Sequence, residues 1–181
     1  MSKTTVASTG IDLSDTFAFS GTVTGASGKG LDIDNYFHAQ DQKSANTDGG
    51  TLSGGAYRTR VLNTVLTNTI SGASLGSNQV TLPSGTYYVW GKAPALGTAR
   101  TKTILYNDTD SSNILIGTSD DCNSNYGAQN QGTVVGKFVL AAQKAISLQQ
   151  QGVTKSDNGL GEGANYGVVE VFAEIQIWKV A

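Results

Sequence analysis

The sequence predicts an all-β protein, a sandwich or barrel of the jelly-roll kind. Three observations lead there. From about residue 31 onward, apolar and polar residues alternate with a period of two in many short runs, the pattern of strands with one buried face. Between the runs lie clusters of Gly, Asn, Asp and Ser, such as Asp48-Gly49-Gly50, Ser53-Gly54-Gly55 and Asn107–Asn113, which favour turns through their backbone freedom and short polar side chains. The composition agrees, with 23 glycines, abundant Ser and Thr, and few strong helix formers over most of the chain.

Residues 1–30 read as an N-terminal attachment arm and Gly-rich linker, with a disordered tail as the alternative. Ile11, Leu13, Phe17 and Phe19 form a small apolar island suited to plugging into a partner. Behind it, four glycines between Gly21 and Gly30 cannot fill a core and leave the backbone loose. Residues 31–181 then form the head. Its expected strands span 35–42, 58–66, 78–82, 86–92, 99–106, 113–117, 132–140, 145–151 and 167–179. Segment 61–70 is read as strand because Asn63, Thr64, Thr67 and Asn68 are poor helix residues, although Val61, Leu62, Val65 and Leu66 also fit helical spacing. Pro83-Ser84-Gly85 is the turn between two strands: Pro83 presets φ, Gly85 closes the turn, and Thr86 restarts the ladder.

The last run alternates most regularly. Residues 169, 171, 173, 175 and 177 are all apolar, so this side belongs to a sheet core. The other side mixes Glu170, Glu174 and Gln176 with Phe172 and Trp178. Large rings on a polar face call for a neighbouring subunit to cover Phe172 and Trp178.

Composition bounds the function. The 181 residues suit one domain plus a short appendage, and a fold of this size hides roughly 70% of the unfolded surface. Cys122 is the only cysteine, which excludes an intramolecular disulfide and a cysteine-based zinc site. With 12 basic against 14 acidic residues and no basic stripe, nucleic-acid binding is not expected. The polar start Met1–Thr5 does not lead into a secretory leader, and no apolar window approaches the roughly 20 residues of a membrane helix.

The chain offers no convincing catalytic motif. Gly72-Ala73-Ser74-Leu75-Gly76 matches G-x-S-x-G, but the single histidine, His38, lies upstream and a short strand follows where a helix is needed. His38 and Cys122 make a poor nucleophilic pair, because Asp120 and Asp121 disfavour a thiolate beside them. His38, next to Tyr36 and Phe37, reads as a packed or interface residue. Gly25–Gly30 lacks the Ser/Thr of a phosphate loop, and Gly159–Gly163 lacks the third glycine of a dinucleotide fingerprint. The Asp108, Asp110, Asn113 and Asp120, Asp121, Asn123, Asn125 clusters could supply oxygens to calcium, but they miss the EF-hand spacing and read as turns. Neither an enzyme, a cofactor nor a metal site is expected. The polar loops are the natural place for recognition, with Asp120, Asp121, Asn123, Asn125, Tyr126 and Asn158 as receptor-contact candidates and Tyr166 at the end of another loop.

A series of blocks carries a family resemblance: Gln40-Asp41-Gln42-Lys43, Gly49-Gly50-Thr51, Arg58–Asn63, Asn78–Tyr87, Ala93-Pro94-Ala95, Leu105–Asp110, Leu115–Ser119 and Gly136-Lys137-Phe138. In this order they resemble a domain of tail-fibre and other virion-surface proteins of tailed bacteriophages, over roughly residues 35–181. Thr9–Ala26 looks like the short N-terminal attachment segments of such proteins. The resemblance implies a jelly-roll head similar to tumour-necrosis-factor and complement heads, which assemble as trimers, with Tyr88, Trp90, Phe172 and Trp178 as the expected subunit-interface residues. It implies a homotrimeric short tail fibre or receptor-binding protein on the phage particle surface, joined to tail or capsid proteins by its arm and directed at host-surface polysaccharide. It carries over no catalytic residues. Because an extended repetitive shaft is missing, a capsid decoration (cement or head-fibre) protein is the alternative.

Overall fold

The computed structural model describes residues 35–122, 129–153 and 157–180. Eleven strands form among them: β1 (Tyr36–Lys43), β2 (Arg58–Thr59), β3 (Thr64–Asn68), β4 (Ser74–Gly76), β5 (Gln79–Leu82), β6 (Gly85–Leu96), β7 (Ala99–Asn107), β8 (Ser112–Cys122), β9 (Gln129–Leu140), β10 (Lys144–Gly152) and β11 (Glu170–Lys179). They build two sheets. One has five strands in the order β3-β1-β11-β6-β9; the other has six, with β4-β5-β10-β7-β8 in line and β2 beside β10. Every pairing is antiparallel, and spatial neighbours such as β1 with β11 and β6 with β9 are far apart in sequence. This is the jelly-roll β-sandwich that the alternation predicts.

The core lies between the sheets. Phe37, Ala39, Tyr87, Val89, Phe138, Ile175 and Ile177 come from the five-stranded sheet, and Val80, Leu82, Leu105, Ile146 and Leu148 from the other. Tyr87 stacks on Phe138 at 5.4 Å and donates its hydroxyl to the Pro83 carbonyl at 2.7 Å, so the turn that ends β5 is tied to the core. At Gly91 an added β-carbon would press on Val134 and Leu148 at 3.2 and 3.3 Å, so this glycine permits close approach of the sheets.

The two ends of the sandwich differ. At one end β1 begins at Tyr36, paired with Trp178 near the last strand's close, and β6 begins at Gly85. β6 then runs 12 residues, about 40 Å at the usual rise per residue, before Gly97 turns the chain into β7. The far end therefore carries the start of β7, the close of β8 and the loops at 44–57 and 157–169.

The expected strand 58–66 is two strands in different sheets. β2 joins β10 and β3 joins β1, because Arg60 between them turns inside and is fully buried. Its Nη1 donates to the Pro94 carbonyl (3.1 Å) and to Gln150 Oε1 (3.0 Å), and its Nη2 donates to the Leu160 carbonyl (2.8 Å). Burial pulls its pKa down to about 10, against the opposing pull of Asp41. The G-x-S-x-G segment is not wholly a turn, since Ser74–Gly76 is a short edge strand paired with β5.

Candidate functional site

The outward face of the five-stranded sheet is built by register. Tyr36, Trp178 and Tyr88 stand side by side across β1, β11 and β6; His38, Gln176 and Trp90 form the next row, and Gln40, Glu174 and Lys92 the third. Residues two apart on a strand share a face, so the three rows form one surface. Trp178 lies 5.1 Å from Tyr36 and 6.1 Å from Tyr88 between ring centroids, both tilted. On β9 the surface continues through Val135 and Val139, which are 46% and 68% exposed. Tyr88 is 40% exposed, and Trp90 and Trp178 are half-buried. All three rings lie on the non-core side of the sheet.

The third row is polar, with Glu174 buried between the partly exposed Gln40 and Lys92. Glu174 Oε1 lies 2.7 Å from His38 Nε2 and accepts from Gln176 Nε2 at 2.9 Å, while Oε2 faces Lys92 Nζ at 3.0 Å. Burial of Glu174 would raise its pKa, but the bonds from Gln176, Lys92 and His38 together hold it below the ordinary carboxylate value. Lys92 also stands 5.6 Å from the Trp90 ring, in cation–π range. No single stretch of sequence marks Glu174 or Lys92 as a site residue, because the hub joins positions on β1, β6 and β11.

Phe172 requires a correction. It is only 3% exposed and does not belong to the outward face. Opposite Gln40 and Gln42 the register of β11 slips from Glu174 to Val171, a bulge that breaks the strict alternation. Upstream of it, Glu170 is buried and Val171 is 43% exposed, the reverse of what unbroken alternation gives. The chain then folds back over the ring: a β-carbon on Gly161 would sit 2.8 Å from Phe172 Cε1 and 3.2 Å from Pro94 Cγ. Phe172 is covered by its own chain. The covering loop is held by Arg60 and by paired backbone bonds, Gly49 N to Gly161 O (2.8 Å) and Leu160 N to Gly50 O (2.9 Å).

Among the receptor-contact candidates, Asp120 and Asp121 close β8 at the far end of the sandwich. Both line an open groove of about 680 Å³ with Arg100, Thr101, Lys102, Gln151 and Val153. Asn158 lies in the loop at the same end, is half-buried and accepts the Gly161 N–H, but does not line the groove. Asn123, Asn125 and Tyr126, and the arm residues Ile11, Leu13, Phe17 and Phe19, lie outside the described residues. Asp110, one of the calcium candidates, is engaged by Lys144 Nζ at 2.5 Å and by Asn107 at 2.9 Å.

No protein-family model matches this sequence, and no curated protein does. Solved structures do resemble the fold. A crystal structure of murine APRIL superposes with a TM-score of 0.53 at 10% identity, covering 80% of this chain and 98% of that one. The globular domain of zebrafish complement 1qA gives 0.52 at 11% identity, covering 81% and 97%. Eiger TNF from S. frugiperda gives 0.51 at 14% identity, covering 81% and 92%. At such identities the likeness concerns the fold alone: this chain has the jelly-roll head shared by tumour-necrosis-factor-like and complement 1q-like domains.

Proposed function

We propose that this chain is a non-enzymatic, homotrimeric virion-surface protein of a tailed bacteriophage, a short tail fibre or receptor-binding protein docked by its N-terminal arm. The observation that carries the assembly is the outward face of the five-stranded sheet. Tyr36, Trp178, Tyr88, Trp90, Val135 and Val139, with Lys137 between the two valines, form a largely aromatic and aliphatic surface that one copy leaves partly open to water. Two sister chains are its occupants, and the heads to which the sequence resemblance points are trimeric. The ordered blocks from Gln40 to Phe138 support the phage assignment, and the apolar island from Ile11 to Phe19 supports docking by the arm.

The test has two parts. Light scattering on the full chain is expected to report three copies, and a monomer would remove the basis of the reading. Antibody labelling of phage particles is then expected on tails; labelling of capsid faces would assign the protein to capsid decoration instead. A chain lacking residues 1–25 is expected to stay trimeric and to fail to copurify with particles.

A further inference from the structure

We propose that the groove between the start of β7 and the close of β8 binds a neutral saccharide, and that this is where the head meets the host surface. The inference rests on the receptor-binding reading and adds the site and the ligand class. Position is the first argument. The groove lies at the far end of the sandwich, about 25 Å along β6 from Tyr88, which stands in line with Tyr36 where β1 begins. It is thus at the end of the head remote from residue 35.

Chemistry is the second argument. The groove sets two cations, Arg100 and Lys102, against two carboxylates, Asp120 and Asp121. A polyanion would meet the carboxylates and a cation would meet the bases, so neither is favoured as a class. A sugar hydroxyl both donates and accepts, and it uses such a mixed lining fully. The decisive groups are also unspent. Arg100 and Asp121 are paired across the β7–β8 ladder and exposed, yet no ion pair joins them, and neither side chain has a partner among the described residues. The Gln151 amide beside them is likewise free among the described residues.

The experiment measures retention of the full chain on immobilised neutral oligosaccharides of glucose, galactose and N-acetylglucosamine, beside sulfated and sialylated ones. Neutral glycans are expected to retain it, and Arg100→Ala or Asp121→Ala should each weaken retention at least about tenfold, the cost of a lost charge-assisted bond. Both side chains are exposed, so light scattering and thermal melting of the variants should match the parent. Undiminished retention in both variants would overturn the groove as the site while leaving receptor binding standing. Retention by the anionic glycans alone, or by none, would overturn the ligand class. Failure of the receptor-binding reading is distinct from all of these: it appears as a chain that is monomeric or absent from particles.

Discussion

Phe172 lies against Gly161 so closely that the glycine has no room for a β-carbon. This contact closes the β10–β11 loop over the start of β11 and makes a ring that looks like an interface residue part of the protomer's interior. Gly161 also has φ +127°, a conformation that side chains avoid. Gly161→Ala is expected to destabilise the folded chain by about 1–3 kcal/mol, and Phe172→Ala by about 3–5 kcal/mol. Chemical denaturation measures both. A Phe172→Ala protein with parental stability but a changed number of subunits would return this ring to the interface.

Arg60 holds the same loop from inside. Removing its guanidinium strips donors from the Pro94 and Leu160 carbonyls and from Gln150 Oε1. Arg60→Ala is expected to cost about 3–5 kcal/mol, with amide exchange accelerated first around Leu160 and Gly161. Arg60→Lys keeps the charge but not the planar fork, and should recover only part of the loss. Unchanged exchange in the loop would show that other bonds hold it.

Trp178 stands between Tyr36 and Tyr88 on the outward face, half-buried within one copy. Trp178→Ser is expected to yield folded, monomeric protein, because its partners on the sheet are themselves surface residues. Circular dichroism and light scattering check the two halves of that statement, and a variant that remains trimeric would place the subunit contact elsewhere.

Glu174 predicts an acid limit. Its pKa is lower in the fold than in the unfolded chain, so its contribution is present above the unfolded value and is lost as the pH falls through the folded one. Glu170, whose carboxylate accepts the Ala164 and Asn165 N–H groups, is shifted in the same direction. Stability is therefore expected to decline on acidification below the ordinary carboxylate range. Glu174→Gln should flatten part of that decline, leaving the part due to Glu170. Melting temperature against pH for the two proteins gives the comparison, and parallel curves would mean that Glu174 does not contribute.

Much of this was legible in the alternation of residues. The outward placement of Tyr88, Trp90 and Trp178 follows from period two on β6 and on the second half of β11. The turn at Pro83 follows from proline and glycine chemistry. Phe172 was misplaced because a bulge and a returning loop override the local pattern. Arg60 sits in a run that reads as one strand, and nothing in its neighbours announces that the chain leaves one sheet for the other there.

The amino-acid order alone determined that this is an all-β chain, where most of its strands run, and which side of β6 faces the core. These are local properties, because a strand's side chains alternate whatever it pairs with. Only the tertiary structure decided which distant residues meet: His38 with Glu174, Arg60 with Leu160, and Arg100 and Asp121 at one groove beside Gln151. Those meetings depend on strand register, a bulge and loop return. The packing of the whole sandwich sets all three, and no short stretch of sequence encodes any of them.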